Sequence, residues 1–293
     1  MDAPVRDSIH EPAAQLRAWL AAFERVFVLT GAGCSTASGI PDYRDTSGEW
    51  KRPPPVTYQA FVGDPAMRAR YWARSLAGWP RVAEATPNAA HMALAQWKAA
   101  GRLSMLVTQN VDGLHQRAGS DAVIDLHGRL DEVVCLACSA RQSRDDLQRQ
   151  LQDANPEWAG MEATSAPDGD ADLEGYDFSR FRVPDCRLCG GLLKPDVVFF
   201  GENVPRIRYE TARAALENSD AVLVVGSSLM VYSGFRFVRL AHETGKPIAL
   251  LNRGHTRADA MADLKLDADC VETLPRALIV QEALDIPIAA NNP

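Results

Sequence analysis

The sequence has no surplus of positive charge. Its 293 residues carry 31 Lys and Arg against 38 Asp and Glu, a formal net charge of −7. That sign disfavours generic nucleic-acid binding, which draws on clustered cations, and suits cationic partners such as lysine-rich polypeptide tails. No apolar run is long enough to span a bilayer: the longest, Ala221–Val225 continuing into residues 229–231, is broken by Gly226, Ser227 and Ser228. The N-terminal stretch lacks the apolar centre of a secretory signal. Its Asp2, Asp7 and Glu11 are unlike an Arg-rich, acid-poor transit peptide. A cytoplasmic protein with no membrane or nucleic-acid partner is expected. No internal repeat is visible. Cysteine is sparse at six, and four of these fall into two Cys-x-x-Cys pairs, which argues for metal binding over a disulfide framework in a reducing compartment.

What the chain does have is a buried strand opening onto glycine. The apolar run Val26–Thr30 leads directly into Gly31, Ala32 and Gly33. An α/β sheet presents bare backbone amides to a phosphate in this way. A hydride-transferring enzyme would add a third glycine opening a long helix, and an acidic ribose partner about 20 residues on. The chain instead continues with Gly39-Ile40-Pro41 and Asp42-Tyr43-Arg44, polar groups on a turn.

Apolar spacing predicts helices over 12–23, 67–76, 87–100, 205–218 and 234–243. Short apolar runs predict buried strands at Val26–Thr30, Leu103–Thr108, 123–126, 197–200, Ala221–Val225 and 247–251. Alternation of this kind implies a mainly parallel, doubly wound α/β sheet. Four strand ends run out into Gly31, Gln109, Gly226 and Asn252, and ligands bind beyond the carboxyl ends of such strands. Residues 155–175 are acidic and poor in β-branched side chains, so part of that stretch is expected to be a mobile loop.

Cys135 with Cys138, and Cys186 with Cys189, can supply four thiolates to one tetrahedral Zn²⁺. Four protein ligands close the shell, so such a zinc is structural. Gly190 and Gly191 suit the tight turn after a ligand pair. The roughly 47 residues between the pairs exceed the usual spacing of a zinc ribbon, which an inserted loop explains. Separate buried thiols or a redox pair are the alternatives. Cys34 and Cys270, outside the pairs, read as small space-filling residues.

Taken together these elements resemble the sirtuins, the NAD-dependent protein-lysine deacylases. The residues that carry the resemblance are GAGCSTASGIPDYR at 31–44, TQNVDGLH at 108–115, LHG at 126–128, the two cysteine pairs, KPDVVFFGE at 194–202 and VVGSSL at 224–229. They occur in family order, and the likeness runs from about residue 15 to 285. Tyr71-Trp72-Ala73-Arg74 followed by Gly78-Trp79-Pro80, Val231-Tyr232-Ser233-Gly234, and Leu251-Asn252 are most similar to the class II branch, in a bacterial member. The resemblance implies a Rossmann-like NAD-binding domain at 12–45, 86–130 and 192–286. A smaller domain would combine a helical module at 46–85 with a zinc-binding module at 131–191.

It also implies roles. His127 would be the general base that takes a proton from a ribose hydroxyl, Asn110 and Asp112 would hold the nicotinamide carboxamide, and Gln109 would contact ribose. Asp42, Tyr43 and Arg44 would lie on a turn that covers the cofactor. Gly31, Ala32, Gly33, Ser35 and Ile40 would approach it from the first strand, and Gly226, Ser227 and Ser228 would bind phosphate and ribose. Asn252, Arg253, Gly254 and Cys270 would face the adenosine half. An acyl-lysine peptide would enter as a strand between Val198, Phe199, Phe200, Gly201 and Glu202 on one side and Met230, Val231 and Tyr232 on the other. Tyr71 and Arg74 are either a grip on an acidic acyl group or ordinary helix-surface residues. His10, His91, His115, His242 and His255 read as ordinary helix or loop residues. Transfer of ADP-ribose to protein through the same NAD site is the alternative activity. Oligomeric state is left open.

Overall fold

The computed structural model describes residues 7–51, 55–158, 164–165, 171–173 and 175–278. In chain order the elements are α1 Asp7–Leu20, β1 Val26–Thr30, α2 Tyr58–Gly63, α3 Pro65–Glu84, α4 Ala89–Ala99, β2 Leu103–Thr108, α5 Leu114–Arg117, β3 Val123–Asp125, β4 Gly128–Cys135, β5 Arg141–Ser143 and α6 Arg144–Ala154. There follow β6 Thr164–Ser165, β7 Ala171–Asp172, β8 Leu193–Val197, α7 Arg206–Glu217, β9 Ala221–Val225, α8 Tyr232–Glu243, β10 Ile248–Leu251, β11 Leu264–Leu266 and α9 Cys270–Ala277. Among the described residues no helix is long and apolar enough to cross a membrane.

Six strands form one parallel sheet in the order β11-β10-β9-β1-β2-β3. From β1 the chain builds outward through β2 and β3, then returns to the other side of β1 with β9, β10 and β11. The order therefore reverses between β1 and β9, the place where a doubly wound sheet opens a crevice for ligands. Every residue of β1, β9 and β10 is buried, as strands covered on both faces must be. Period-two alternation splits them between two cores. Val26, Val28, Leu223 and Val225 pack under α1, α4 and α9 through Leu16, Leu94 and Leu274. Phe27, Leu29, Val222 and Val224 pack under α7 and α8 through Leu216, Phe237 and Val238.

A second sheet, β5-β4-β8, is antiparallel. It shares a third core with α2, α3 and α6, built on Phe61, Trp72, Leu76, Val133, Leu147 and Leu151. Helix α3 starts sharply because Asp64 caps it, its Oδ1 accepting from Ala66 N–H at 2.8 Å, and Pro65 supplies a preset φ at the first helical position. Arg144, at the start of α6, is buried and donates from Nη2 to the Ser75 carbonyl and hydroxyl, both at 3.0 Å, which ties α6 to α3.

The observed elements depart from the sequence expectation in several places, and α2, α5, β4, β5, α6 and α9 were not among the elements expected. Helix α1 ends at Leu20, and Phe23 sits in the following turn with its ring 4.7 Å from that of Trp19, so the helical spacing of these aromatics outlasts the helix. The strand expected at 197–200 is β8, Leu193–Val197, and it belongs to the smaller sheet, where it pairs antiparallel with β4. This places residues 193–197 with the zinc-side core and not with the parallel sheet. Edge strand β11 went unpredicted, being three residues with Lys265 at its centre. Within 155–175 there is a 3-10 turn, Pro156–Trp158, with Trp158 buried, and the short β6–β7 pair; 159–163, 166–170 and 174 lie outside the described residues, as do 279–286.

Candidate active site

Two loops meet at the switch point. The loop after β1 passes through Gly31 to Gly33, and the loop after β9 through Gly226 to Ser228. They are stitched by Gly31 N–H to Val225 O at 3.0 Å and Gly33 N–H to Gly226 O at 2.8 Å. The approach is too close for side chains. A Cβ at Gly31 would lie 2.7 Å from Ser227 Cβ, and one at Gly226, where φ is +59°, would lie 2.4 Å from Cys34 N. After Gly33 the chain makes 3-10 turns, Ala32–Cys34 and Thr36–Ser38, where a dehydrogenase would begin a long helix.

Polar groups from β1 and β2 line up beside this crossing. Thr30 donates to Thr108 Oγ1 at 2.9 Å, and Thr108 Oγ1 accepts from Asn110 N–H at 3.1 Å. Asn110 Nδ2 then donates to Gly31 O and to Ser35 Oγ, each at 3.0 Å, and Ser35 donates to Asp112 Oδ2 at 2.7 Å. Asp112 Oδ1 accepts from Leu114 N–H at 2.9 Å. Burial pushes the Asp112 carboxyl up, against the pull of Leu114 N–H, Ser35 and Arg117. Among the described residues no group donates to the Asn110 side-chain carbonyl, so the set offers an amide and a carboxylate to a ligand.

His127 is the last residue of the two-residue link from β3 to β4. Its Nδ1 lies 2.8 Å from the Gln109 carbonyl and its Nε2 lies 2.7 Å from Ser233 Oγ. A carbonyl only accepts, so Nδ1 carries the hydrogen and Nε2 carries the lone pair. Burial, opposed by the Gln109 carbonyl and aided by Arg236 and Arg208, brings the imidazole down to about 4. It is neutral at physiological pH. Gln109 also donates from Nε2 to Ser227 Oγ at 2.9 Å and to Thr30 O at 3.3 Å, tying the end of β2 to both glycine loops.

A cavity of about 450 Å³ runs along this crossing and brings together nearly every residue singled out from the sequence. Its lining includes Gly31, Ala32, Gly33, Ser35 and Ile40 from the first loop, and Gln109, Asn110, Asp112 and His127 from the middle of the sheet. Gly226, Ser227, Ser228, Asn252 and Arg253 line the other half. Asp42, Tyr43 and Arg44 line the cavity as well: Arg44 lies 4.0 Å over the Trp50 ring, which packs on Phe200 at 5.6 Å, and Asp42 pairs with Lys51. Val198, Phe199, Phe200, Gly201 and Glu202 face Met230, Val231 and Tyr232 across the opening. Val198 N–H donates to His127 O at 2.7 Å. The Glu202 carboxylate is occupied by Phe199 N–H at 2.9 Å and the buried Lys194 at 3.1 Å, so it shapes the turn.

Three expected residues do not line the cavity. Cys270 is buried behind the glycine loop, its thiol reaching the Gly33 carbonyl at 3.6 Å. Gly254 N–H is held by Asp267 at 2.9 Å. Tyr71 reaches the cavity and packs on Phe199 at 5.2 Å, but Arg74, one helical turn later on α3, lies outside the lining. Several lining residues escaped the sequence reading of the site, Trp50, Ser233 and Arg236 among them. Trp50 hides in a stretch rich in Pro, Arg and aromatics. Ser233 is 106 positions from the histidine it touches, so no local spacing marks it.

The four paired cysteines converge, with their sulfurs within 4.8 Å of one another; Cys135 and Cys189 lie 3.5 Å apart and Cys138 and Cys186 3.8 Å. Tetrahedral Zn–S bonds of 2.3 Å place sulfurs about 3.8 Å apart. The fit extends to the charge. Backbone N–H groups of Cys138 and Ala137 hold Cys135 down at about 6. Cys189 accepts from Gly191 N–H yet is pushed up to about 12 by the neighbouring thiols. Four sulfurs gathered this closely are the donor set of a tetrahedral zinc site whose shell is closed.

A second buried group, Cys34, His91 and His115, brings donor atoms within 4.8 Å of one another behind the glycine loop. Burial lowers His91 to about 4 and His115 to about 3, and their rings lie 4.7 Å apart. His115 Nε2 lies 2.9 Å from Thr30 Oγ1, and His91 Nδ1 accepts from Asn88 N–H in a capping box at the start of α4. Both are helix residues, as expected, but buried ones: His91 on α4 and His115 on α5, the latter bracing the end of β1.

The Sir2 family model matches residues 31–233. The chain belongs to the Sir2 family. It is 61% identical over 268 residues to the NAD-dependent protein deacetylase of Bordetella bronchiseptica, covering 92% of this chain and 98% of that one. It is 61% identical over 269 residues to that of Xanthomonas axonopodis pv. citri, with 89% and 92% covered. Among solved sirtuin structures, one of Sir2 with p53 peptide and NAD⁺ superposes with a TM-score of 0.70 at 29% identity, covering 90% of this chain and 96% of that one. Sir2Tm bound to a propionylated peptide gives 0.71 at 30%, with the same coverage.

Proposed function

We propose that this Sir2-family chain is an NAD-dependent protein-lysine deacylase. It would move an acyl group from a lysine side chain to ADP-ribose and release nicotinamide. The observation that carries the reading is one cavity, at the sheet's switch point, joining a neutral histidine with its lone pair on Nε2 to the Ser35–Asn110–Asp112 set. NAD, when bound, supplies a ribose carbon with a good leaving group.

Asn110 and Asp112 would pair with the carboxamide of that leaving group. The bare backbone at Gly31 and Gly226, with Ser227 and Ser228, would take phosphate and ribose, and Asn252 and Arg253 the adenosine end, with Gly254 and Cys270 behind. Asp42, Tyr43 and Arg44 would exclude water while the ribose carbon is activated. The peptide would add between residues 198–202 and 230–232 through main-chain hydrogen bonds, a mode that reads the modified lysine above its neighbours. His127 would take the proton of a ribose hydroxyl, which then attacks the acyl carbon. Zinc holds the smaller sheet and takes no part in the chemistry.

Around Tyr71 the wall is made by Val56, Leu130, Val197 and Phe199, all packed in the same apolar core. With Arg74 outside the lining, acetyl or apolar acyl groups suit this wall better than acidic ones. The partners are acylated lysines on proteins, and the setting proposed is the cytoplasm. Mass spectrometry of products from acetyl-, propionyl- and succinyl-lysine peptides with NAD tests the reading. Acyl-ADP-ribose and nicotinamide are expected in equal amounts, and lost in His127→Ala. ADP-ribose attached to protein with no deacylated peptide would replace this reading by ADP-ribosyl transfer.

A further inference from the structure

Ser233 is the second residue of α8, and its hydroxyl lies 2.7 Å from His127 Nε2. Because Nδ1–H is committed to the Gln109 carbonyl, the bond at Nε2 can run in one direction only: Ser233 donates and the imidazole accepts. Nε2 has a single lone pair in the ring plane. A ribose hydroxyl must therefore displace Ser233 or pass its proton through it. Among the described residues no other group bonds Ser233 Oγ, which leaves its own lone pairs for an incoming hydroxyl. The residue also lines the cavity and sits in the first turn of a twelve-residue helix, where Gly234 and Phe235 N–H both reach the Val231 carbonyl at 3.2 Å. A group on such a rigid element holds its place as substrate arrives.

We propose that Ser233 is the proton relay between the ribose hydroxyl and His127, an inference that rests on His127 being the base. With NAD and peptide bound, the ribose oxygen would form a C–O bond to the acyl carbon, the carbon's π pair would move onto the heteroatom it is doubly bonded to, and the ribose O–H proton would pass to Ser233 Oγ. The Ser233 proton passes at the same time to His127 Nε2. The net result would be one proton moved from ribose oxygen to imidazole, one C–O bond made and one π bond of the acyl carbon broken, with Ser233 unchanged. The charged groups that act on His127 are Arg236 on α8 and Arg208 on α7, both cations that cannot take this proton.

The test uses the full-length zinc-loaded protein with NAD and an acetyl-lysine peptide. Ser233→Ala is expected to lower kcat for deacylation by at least about tenfold, within the range general acid–base groups supply. KM for NAD and for peptide should stay within about twofold in that variant. The acid limb of its pH–rate profile should move to higher pH, because a hydrogen bond that favoured the neutral imidazole is gone. Ser233→Thr, which keeps the hydroxyl, should recover most of the rate. A kcat in Ser233→Ala equal to or above the parent would overturn the relay and mark Ser233 as a plug that substrate displaces. A loss shared between kcat and both KM values and not recovered by Thr would overturn it as well. His127→Ala separates the two layers: deacylation surviving there removes the base and the relay together. Deacylation lost there but intact in Ser233→Ala removes the relay alone.

Discussion

Replacing Gly226 with alanine puts a methyl group where two loops cross. The new Cβ would meet Cys34 N at 2.4 Å and Gly33 C at 2.7 Å, both backbone atoms with no rotamer to escape into. At φ +59° an alanine also bears left-handed strain of about 1–2 kcal/mol. Forcing the loops apart adds about 1–3 kcal/mol, the usual cost of overpacking. A gain of about 0.4–1 kcal/mol from the less flexible unfolded chain offsets part of this. The net expectation is a loss of roughly 1–5 kcal/mol. Gly101→Ala is the matched control, with φ +73° and no atom within 4 Å of its Cβ, so it reports the backbone strain without the clash. Urea unfolding of the two variants should differ by the clash of about 1–3 kcal/mol. Nicotinamide release should show a raised KM for NAD in Gly226→Ala alone, because the displaced loops are the proposed phosphate cradle. Equal stabilities in the two variants, with an unchanged KM for NAD, would refute the crossing as both a packing and a binding device.

Two further outcomes are expected. Metal analysis of protein purified without added zinc should give one zinc per chain, lost with the smaller sheet's stability in Cys186→Ser; a second equivalent that disappears in Cys34→Ala would refute the reading of Cys34, His91 and His115 as packing. His91, His115 and His127 are lowered from 6.5 to about 4, 3 and 4, so below 6.5 the unfolded chain binds protons that the folded chain does not. Stability from this source is present above pH 6.5 and is lost as pH falls toward 4, so urea midpoints should drop across that window with an uptake approaching three protons. A flat profile there would refute burial of these rings in neutral form.

The central strands were legible because β1, β9 and β10 are covered on both faces and therefore read as unbroken apolar runs. The glycine loop was legible for a related reason: only bare backbone can pass where Gly31 meets Ser227. Edge strand β11 was not, since three residues with a central lysine leave no periodicity. Strand β8 was misplaced because apolar content marks burial but not which sheet a strand joins, and its partner β4 lies some sixty residues earlier. Nearly all the residues taken from the family motifs lined one cavity. Arg74 did not, because helical spacing fixes a face but not how deep a neighbouring side chain such as Tyr71 is drawn. Ser233 and the His91–His115 pair depend on contacts between distant segments, which no window along the chain can reveal.

The tautomer of His127 is set by a main-chain atom. No substitution at position 109 can delete the carbonyl that holds Nδ1–H, because every residue type brings the same oxygen. The proton state on that side of the ring is thus immune to point mutation as long as the end of β2 keeps its path. On the other side the partner is a side chain, and a single codon change removes it. Variation among sequences that share this fold can therefore alter how a proton reaches the imidazole without altering which nitrogen receives it.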